Sequence, residues 1–146
     1  EIVNKLPGKT ILEIGYFDDS FKKLIRPDFI YTGIDPEPTK YIKGMPIVSV
    51  ENYDPGKKFD IVVASNILEH TTDPVAAFKQ IKKLAKKYIF ISVPYEPMYT
   101  ITRFFFPEME HYWTIHPTIF EYYFGKPIYV KYMHLWRTFT AVYKVQ

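Results

Sequence analysis

The chain has 146 residues, of which 47% are hydrophobic and 24% charged, a composition typical of one folded globular domain over residues 1–146. The absence of cysteine excludes disulfides, a thiol nucleophile and cysteine-based zinc sites. The net charge of +3 is mild, so nucleic acid is not expected as a partner. No apolar run reaches the roughly 18 residues that a membrane span needs, so no transmembrane segment is predicted. No signal peptide is recognisable, and we therefore expect a cytoplasmic protein.

Apolar, β-branched runs alternate with helix signals along the first two thirds of the chain. Five such runs predict buried strands, at 9–15, 29–34, 45–50, 59–64 and 88–93. A helix that residues 18–20 cap is predicted after the first strand, and Pro27 stops it. A second, amphipathic helix is predicted after Asp73 and Pro74, with its apolar side chains at helical spacing and its lysines on the other face.

The last third of the chain predicts a different arrangement. A short helix over 117–124 ends at Gly125, and two β-rich runs, 128–132 and 138–145, are close enough to pair as an antiparallel hairpin. Alternation of strands and helices is typical of a doubly wound parallel sheet. We therefore expect an α/β fold with a sheet of about seven strands, mostly parallel, with a C-terminal antiparallel hairpin.

Polar side chains follow the fourth predicted strand directly. They are Ser65, Asn66, Glu69 and His70. Because ligands of open α/β sheets bind outside the carboxyl ends of the strands, we expect this edge to be the working edge. An imidazole with a pKa of about 6.5 can accept a proton near neutral pH, which makes His70 a candidate base; the alternative is that it caps or packs under the next helix.

Two acidic residues and a glycine mark the ends of the first two predicted strands. Gly15 follows Glu13 at a point where the backbone either approaches a ligand closely or only makes a tight turn. Asp35 lies about 20 residues further on, the spacing at which a carboxylate accepts hydrogen bonds from ribose hydroxyls. An Asp-Pro turn is the alternative for Asp35. The glycine spacing of a nicotinamide-binding loop is absent.

Residues 59–74 have the form FDxVxxxxxLEHxxDP, and residues 13–15 match the start of an E/D-x-G-x-G-x-G loop. In these segments the chain resembles the class I S-adenosylmethionine (AdoMet) methyltransferases, of the small type-11-like group, and the resemblance extends over nearly the whole chain. It implies a Rossmann-like fold, methyl transfer and AdoMet as cofactor, with His70 as the catalytic residue. The residues that it assigns to the cofactor are Glu13, Gly15, Tyr16, Asp35, Ser49, Ser65 and Asn66.

The resemblance is incomplete in the glycine loop, where Phe17 and Asp19 stand in place of the second and third glycines. The alternative function is therefore a degenerate methyltransferase fold that serves as a non-catalytic binding or scaffold module. A methyltransferase for nucleic acid is a third interpretation, which only the basic pI favours. Residues 64–67 do not form the Asn/Asp-Pro-Pro-Tyr/Phe segment of enzymes that methylate amino groups of DNA.

Residues 92–97 resemble the SVPxEP run of methyltransferases that modify glycans and lipids, and residues 111–113 resemble the H-x-x-W segment of that group. The residues thereby assigned to acceptor binding are Tyr95, Glu96, His111 and Trp113. Core filling is the alternative for the aromatic side chains. The resemblance implies an acceptor of small-molecule, glycan or lipid type.

Residues 94–116 have no clean periodicity, and a loop of this length inside a domain is usually a lid or a binding segment. The adjacent aromatic residues 104–106 cannot all point inward, so we expect exposed apolar surface there. This apolar surface is expected to fold over the ligand-binding edge of the sheet, to form a homodimer contact through 99–113 or to dock on a lipid-like acceptor. The histidines at 70, 111, 116 and 134 contain no H-E-x-x-H pair, so no metal is predicted.

Overall fold

The computed structural model describes residues 2–37, 44–95, 111–113, 115–133 and 138–145. Six strands in these ranges form one mixed sheet in the order β2-β1-β3-β4-β6-β5. The strands are β1 (Thr10–Ile14), β2 (Ile30–Ile34), β3 (Phe59–Ser65), β4 (Ala85–Pro94), β5 (Pro127–Met133) and β6 (Thr138–Lys144). Strands β1 to β4 pair in parallel, β6 runs antiparallel to β4, and β5 runs antiparallel to β6. The predicted fold class and the C-terminal hairpin are thus confirmed.

In the part of the chain that the structure describes, four helices accompany the sheet. They are α1 (Ile2–Lys5), α2 (Ser20–Leu24), α3 (Pro74–Leu84) and α4 (Thr118–Phe124). Side chains alternate across the central strands, so one sheet face packs against α3 and α4 and the other packs against α1 and the start of the chain. On the first face Phe78 of α3 meets Phe120 of α4 edge to face, with ring centroids 5.3 Å apart. None of the helices in the described ranges is long and apolar enough to cross a membrane.

Helix α3 begins as the sequence predicts. The carboxylate of Asp73 accepts a hydrogen bond from the backbone N–H of Ala76 at 2.9 Å, and Pro74 occupies the first helical turn. Three of its large side chains, Phe78, Ile81 and Leu84, are buried against the sheet. The helix ends at Leu84, and β4 begins at Ala85, three residues before the predicted strand.

The predicted strand over 45–50 is wrong. The structure has there only an isolated parallel bridge between Asp35 and Ile47, followed by a 3-10 turn, Val50–Asn52. Pro46 has no N–H to donate to a strand ladder, and Gly44 before it has φ +75°, outside the extended region. Ile47 is 56% exposed, so burial does not hold the segment in the sheet either. The sheet in the described ranges therefore has six strands instead of about seven.

Asp60 ties together the amino ends of three strands. Its Oδ2 accepts hydrogen bonds from the backbone N–H groups of Lys9 (2.8 Å) and Thr10 (3.2 Å), where β1 begins. Its Oδ1 lies 2.9 Å from the ammonium group of Lys87 in β4. These contacts lie at the edge of the sheet opposite the carboxyl ends of the strands, so Asp60 stabilises the strand arrangement without facing those ends.

The hairpin strand β5 is the outer edge of the sheet. All of its residues are exposed or half-buried, whereas β6 behind it buries Phe139, Ala141, Val142 and Tyr143. Residues 96–110 and 114 lie outside the described ranges, and they include Glu96 and the aromatic residues 104–106. The predicted acceptor role of Glu96 and the predicted exposed apolar surface, with its homodimer contact, therefore fall on residues that the structure does not describe.

Candidate functional site

The carboxyl ends of β1, β2 and β3 lie side by side at one edge of the sheet. In the strand register, Ile14 pairs with Ile34 on one side and with Ala64 on the other. Gly15, Asp35 and Ser65, each one residue further along its strand, therefore come to the same level. The structure thus brings together three residues that the sequence assigned to one site from three distant segments.

Gly15 is required by the local backbone. It has φ +82°, and its N–H donates to the carbonyl of Ile34 at 2.9 Å in the turn that leaves β1. A Cβ at this position would lie 2.7 Å from Cδ1 of Ile67. The tight turn and the contact with Ile67 explain the glycine by themselves, which supports the turn interpretation.

Asp35 is 9% exposed at the end of β2. Its Oδ1 accepts a hydrogen bond from the backbone N–H of Glu37 at 2.8 Å, and its carbonyl accepts one from Val48 at 2.8 Å. Burial raises the pKa of its carboxyl group above the ordinary value of 3.8. Because each carboxylate oxygen has two acceptor positions, the side chain serves the local turn and keeps capacity for a ligand hydroxyl.

A cavity of about 160 Å³ opens beside these strand ends. Its lining residues are Ile14, Ile34, Pro36, Val48, Ser49, Val50, Glu51, Ile67, His70, Thr71 and Thr72. Aliphatic side chains from β1, β2 and the segment after β3 form its walls, and Ser49 and His70 supply polar groups. A small apolar slot with a few polar atoms suits a flat ring better than a whole drug-sized ligand, for which pockets are usually about 300–1,000 Å³.

Two predicted cofactor residues, Glu13 and Tyr16, are occupied by contacts within the protein. The hydroxyl of Tyr31 donates to the Glu13 carboxylate, and the hydroxyl of Tyr16 donates to Oδ1 of Asp19 at 2.5 Å. Burial raises the pKa of Glu13 to about 7, although the hydrogen bond from Tyr31 opposes that shift. Burial and the bond to Asp19 raise the pKa of Tyr16 to about 12. Neither side chain is among the described residues that line the cavity.

The two unusual residues of the glycine loop have different surroundings. Asp19 precedes α2 but does not cap it through its side chain, because the carboxylate is engaged with Tyr16. Asp18 accepts a hydrogen bond from the N–H of Ser20, the first residue of α2, at 2.7 Å. Phe17 is 72% exposed and is not among the described cavity-lining residues.

The segment after β3 turns sharply over the strand ends. Asn66 has φ +50°, a conformation that asparagine tolerates better than most residues, and its N–H donates to the carbonyl of Ser92 at 2.8 Å. A 3-10 turn, Leu68–His70, follows and places His70 at the cavity. Leu68 and Glu69 are buried beneath this turn, and Glu69 is only 2% exposed.

Residues 111–113 are fastened to this turn by three hydrogen bonds. The backbone N–H groups of Tyr112 and Trp113 both donate to the carbonyl of Glu69, at 2.8 and 3.1 Å. The indole N–H of Trp113 donates to the carbonyl of Thr71 at 2.7 Å. The rings of His70 and His111 meet edge to face with centroids 4.8 Å apart.

The sequence assigned His70 to catalysis and His111 to the acceptor, and it assigned no role to Glu69. In the structure, potential ligand atoms of Glu69, His70 and His111 all lie within 4.8 Å of one another. Sequence spacing could not reveal this cluster, because His111 lies about 40 residues after His70 in the sequence. The adjacent Glu69-His70 pair was the only local signal.

The remaining predicted residues lie apart from this cluster. Ser65 is exposed at the end of β3, and Ser49 also accepts a hydrogen bond from the side chain of Asn52 at 3.0 Å. Tyr95 packs edge to face on Tyr132 of β5, with centroids 5.1 Å apart, which fits the core-filling alternative. Trp113 borders a second cavity, of about 450 Å³, between α3 and α4.

The family comparison identifies a match over most of the chain. Residues 2–126 match the family described as a methyltransferase domain. The sequence has no significant match among curated proteins.

Solved structures of methyltransferases share this fold. The N-methyltransferase NodS from Bradyrhizobium japonicum WM9 superposes with a TM-score of 0.72 at 14% identity, covering 98% of this chain and 89% of NodS. Magnesium protoporphyrin IX methyltransferase (ChlM) from Synechocystis PCC 6803, crystallised with AdoMet, has a TM-score of 0.69 at 10% identity, covering 99% of this chain and 74% of ChlM. The sugar N-methyltransferase KedS8 from Streptoalloteichus sp ATCC 53650 has a TM-score of 0.53 at 13% identity, covering 62% and 42%. At identities this low, the similarity shows a common fold.

Proposed function

Because the chain belongs to the methyltransferase-domain family, as its resemblance predicted, and AdoMet is the cofactor of that domain, we propose that it transfers a methyl group from AdoMet to an acceptor of small-molecule, glycan or lipid type. The observation that carries the proposal is the alignment of Gly15, Asp35 and Ser65 at one sheet edge beside a small apolar cavity. Ligands of open α/β sheets bind at this edge.

The residues at the edge fit such a cofactor. In our proposal the apolar slot between Ile34, Val50 and Ile67 takes the adenine ring, since its walls are aliphatic and its size suits a flat ring. Asp35 accepts hydrogen bonds from the ribose hydroxyls, for which its buried, partly desolvated carboxylate is well suited. Gly15 has no side chain of its own, so the backbone that leaves β1 packs directly against Ile67, one of the cavity walls.

The acceptor side lies at the turn after β3. When bound, AdoMet supplies a methyl group on a positively charged sulfur, and transfer then needs mainly the alignment of acceptor, methyl group and sulfur. The side chain of His70 is 33% exposed and its ring meets that of His111, which the sequence assigned to the acceptor, so His70 is the described titratable group best placed to meet an acceptor. KedS8 is a sugar N-methyltransferase, which supports a sugar as one member of the proposed acceptor class.

A non-catalytic module remains the second candidate function. Its support is the loop after Gly15, where Phe17 and Asp19 occupy positions of family glycines and Asp19 is held by Tyr16. In this interpretation the loop is built for internal contacts, and the fold is kept as a binding scaffold.

Calorimetric titration with AdoMet and its demethylated product separates the two candidates. We expect the wild type to bind both, and Asp35→Ala to weaken binding by about 1.5–3 kcal/mol, the range for hydrogen bonds to a charged group. Asp28→Ala is the matched control, because it removes an exposed carboxylate near the same strand. A folded wild type that binds neither compound would refute the methyltransferase proposal in favour of the scaffold, and unchanged affinity in Asp35→Ala would refute the ribose assignment.

A further inference from the structure

We infer that Glu69, His70 and His111 form a binding site for a divalent cation, with Zn²⁺ as the best match, whose open coordination positions take oxygen atoms of the acceptor. The cation site stands on the geometry of the three residues. The clause about the acceptor rests in addition on the proposed methyltransferase function. No sequence motif marks the site, and it runs against the sequence-based prediction of no metal.

The distances are close to those that a bound cation requires. The ligand atoms of the three side chains lie within 4.8 Å of one another. Zinc binds imidazole nitrogen and carboxylate oxygen at about 2.0–2.2 Å, which puts pairs of ligand atoms roughly 3–4 Å apart. In our proposal the side chains rotate to close the remaining difference of roughly 1–2 Å when the cation binds.

The backbone that carries the three residues is held in place. Glu69 and His70 lie in one 3-10 turn, and the carbonyl of Glu69 accepts hydrogen bonds from both Tyr112 and Trp113. His111 is therefore anchored next to that turn by the two residues that follow it, and the indole of Trp113 adds a third bond, to Thr71. Preorganisation of this kind lowers the cost of gathering ligands from two distant segments.

The donor set suits a reactive cation site. Two histidines and one glutamate are the ligands of several catalytic zinc sites, in which the fourth position binds water or substrate and a fifth position can open. The Glu69 carboxylate is 2% exposed and lies 4.0 Å from the Nε2 atom of His70. The side chain of His70 is 33% exposed, so the cluster is open to ligands from the solvent.

A cation here specifies the chemistry of the acceptor. A hydroxyl group bound to Zn²⁺ loses its proton to the solvent much more readily than in water. The new bond from that oxygen to the methyl carbon then forms as the bond from carbon to sulfur breaks, and S-adenosylhomocysteine leaves. The acceptor class is therefore a compound with a hydroxyl and a neighbouring oxygen that can bind the same cation, and His70 acts as a ligand instead of a base.

Calorimetric titration of EDTA-treated protein with Zn²⁺ tests the site directly. We expect one Zn²⁺ per chain and at least about ten-fold weaker binding in Glu69→Gln and in His111→Asn. The matched control is His116→Gln, because His116 is exposed and its ring contacts Thr118 instead of the cluster. A wild type that binds no Zn²⁺, or a His111→Asn variant that binds it as tightly as the wild type, would overturn the inference.

A spectroscopic measurement on the wild type does not depend on the folding of any variant. Co²⁺ in place of Zn²⁺ should give the visible absorption bands of a low-symmetry nitrogen and oxygen site, and acetohydroxamate, a bidentate oxygen ligand, should shift them. Absence of the bands speaks against the site, and bands that acetohydroxamate leaves unchanged speak against its open positions.

The cation site and the proposed function fail separately. AdoMet binding should be detectable both in EDTA and in Zn²⁺, because the residues proposed to hold AdoMet are distinct from the three ligands. Protein that binds AdoMet but not Zn²⁺ would refute the cation site alone. Protein that binds Zn²⁺ but not AdoMet would refute the methyltransferase proposal, and with it the clause about the acceptor.

Discussion

At the scale of single residues, burial and a hydrogen bond shift the pKa of the Glu13 carboxyl group in opposite directions. Burial raises its pKa to about 7 from an ordinary 4.5, against the effect of the Tyr31 hydroxyl. The sequence assigned Glu13 to the cofactor, but no local pattern predicts its pairing with Tyr31, because the two residues meet only when β1 and β2 pair. Contacts between strands are the part of a site that residue spacing does not reveal.

The raised pKa of Glu13 makes stability depend on pH in a defined window. Between about pH 4.5 and 7 the folded protein keeps the proton that the unfolded chain has lost, so the free energy of unfolding falls as pH rises and levels off above the folded pKa. Glu13→Gln should remove this slope and stabilise the protein at pH 8 by as much as about 3 kcal/mol. Urea unfolding at several pH values measures it. An unchanged slope in Glu13→Gln would contradict the assignment.

The two roles of Gly15 can also be separated by substitution. Gly15→Ala should lower the free energy of unfolding by about 2–4 kcal/mol, because it adds left-handed strain of roughly 1–2 kcal/mol to the clash with Ile67. Gly56→Ala is the control, since Gly56 has φ +64° and nothing within 4 Å of its Cβ position. Equal losses in the two variants, measured by denaturant unfolding, would show that Ile67 moves aside and that the glycine is needed only for the turn.

At the scale of elements, prediction succeeded where the signals are local. Helix α3 has its cap, its proline and its apolar spacing within the helix itself, and all of them agree. The prediction of a strand over 45–50 was wrong because two signals in the segment oppose each other. Its apolar residues favour a strand, whereas Pro46 removes a backbone hydrogen-bond donor, and which of them prevails depends on whether a neighbouring element covers Ile47. The cluster of Glu69, His70 and His111 depends in the same way on a contact between distant segments.

The strands depend on Asp60 at the edge opposite the site. Backbone N–H groups from Lys9 and Thr10, together with the ammonium of Lys87, hold the pKa of Asp60 well below its ordinary 3.8. The unfolded chain therefore takes up a proton before the fold does as the pH falls below about 4, and stability is lost on that side.

Asp60→Asn should reduce this loss of stability at acid pH. It should also lower the free energy of unfolding at pH 7 by about 1–3 kcal/mol, because an amide cannot form an ion pair with Lys87. Unfolding midpoints between pH 2.5 and 7 measure the effect. Asp54→Asn is the control, since Asp54 is 72% exposed and 3.8 Å from Lys83, and it should change stability by less than about 0.5 kcal/mol. If the stability of Asp60→Asn still falls as the pH drops below about 4, a group other than Asp60 causes the loss.

At the scale of the whole molecule, the sheet is unequally protected across its width. β3 lies between β1 and β4 with Ile61 to Ala64 fully buried, whereas β5 is the exposed outer edge of the hairpin. Backbone amide hydrogens of β3 should therefore exchange with solvent only when the whole domain unfolds, and those of β5 through small local openings. The sheet thus opens from the hairpin inward. Fluctuations at the outer strand leave Asn66 to His70 undisturbed, and that outer strand can vary in sequence at little cost to the working edge.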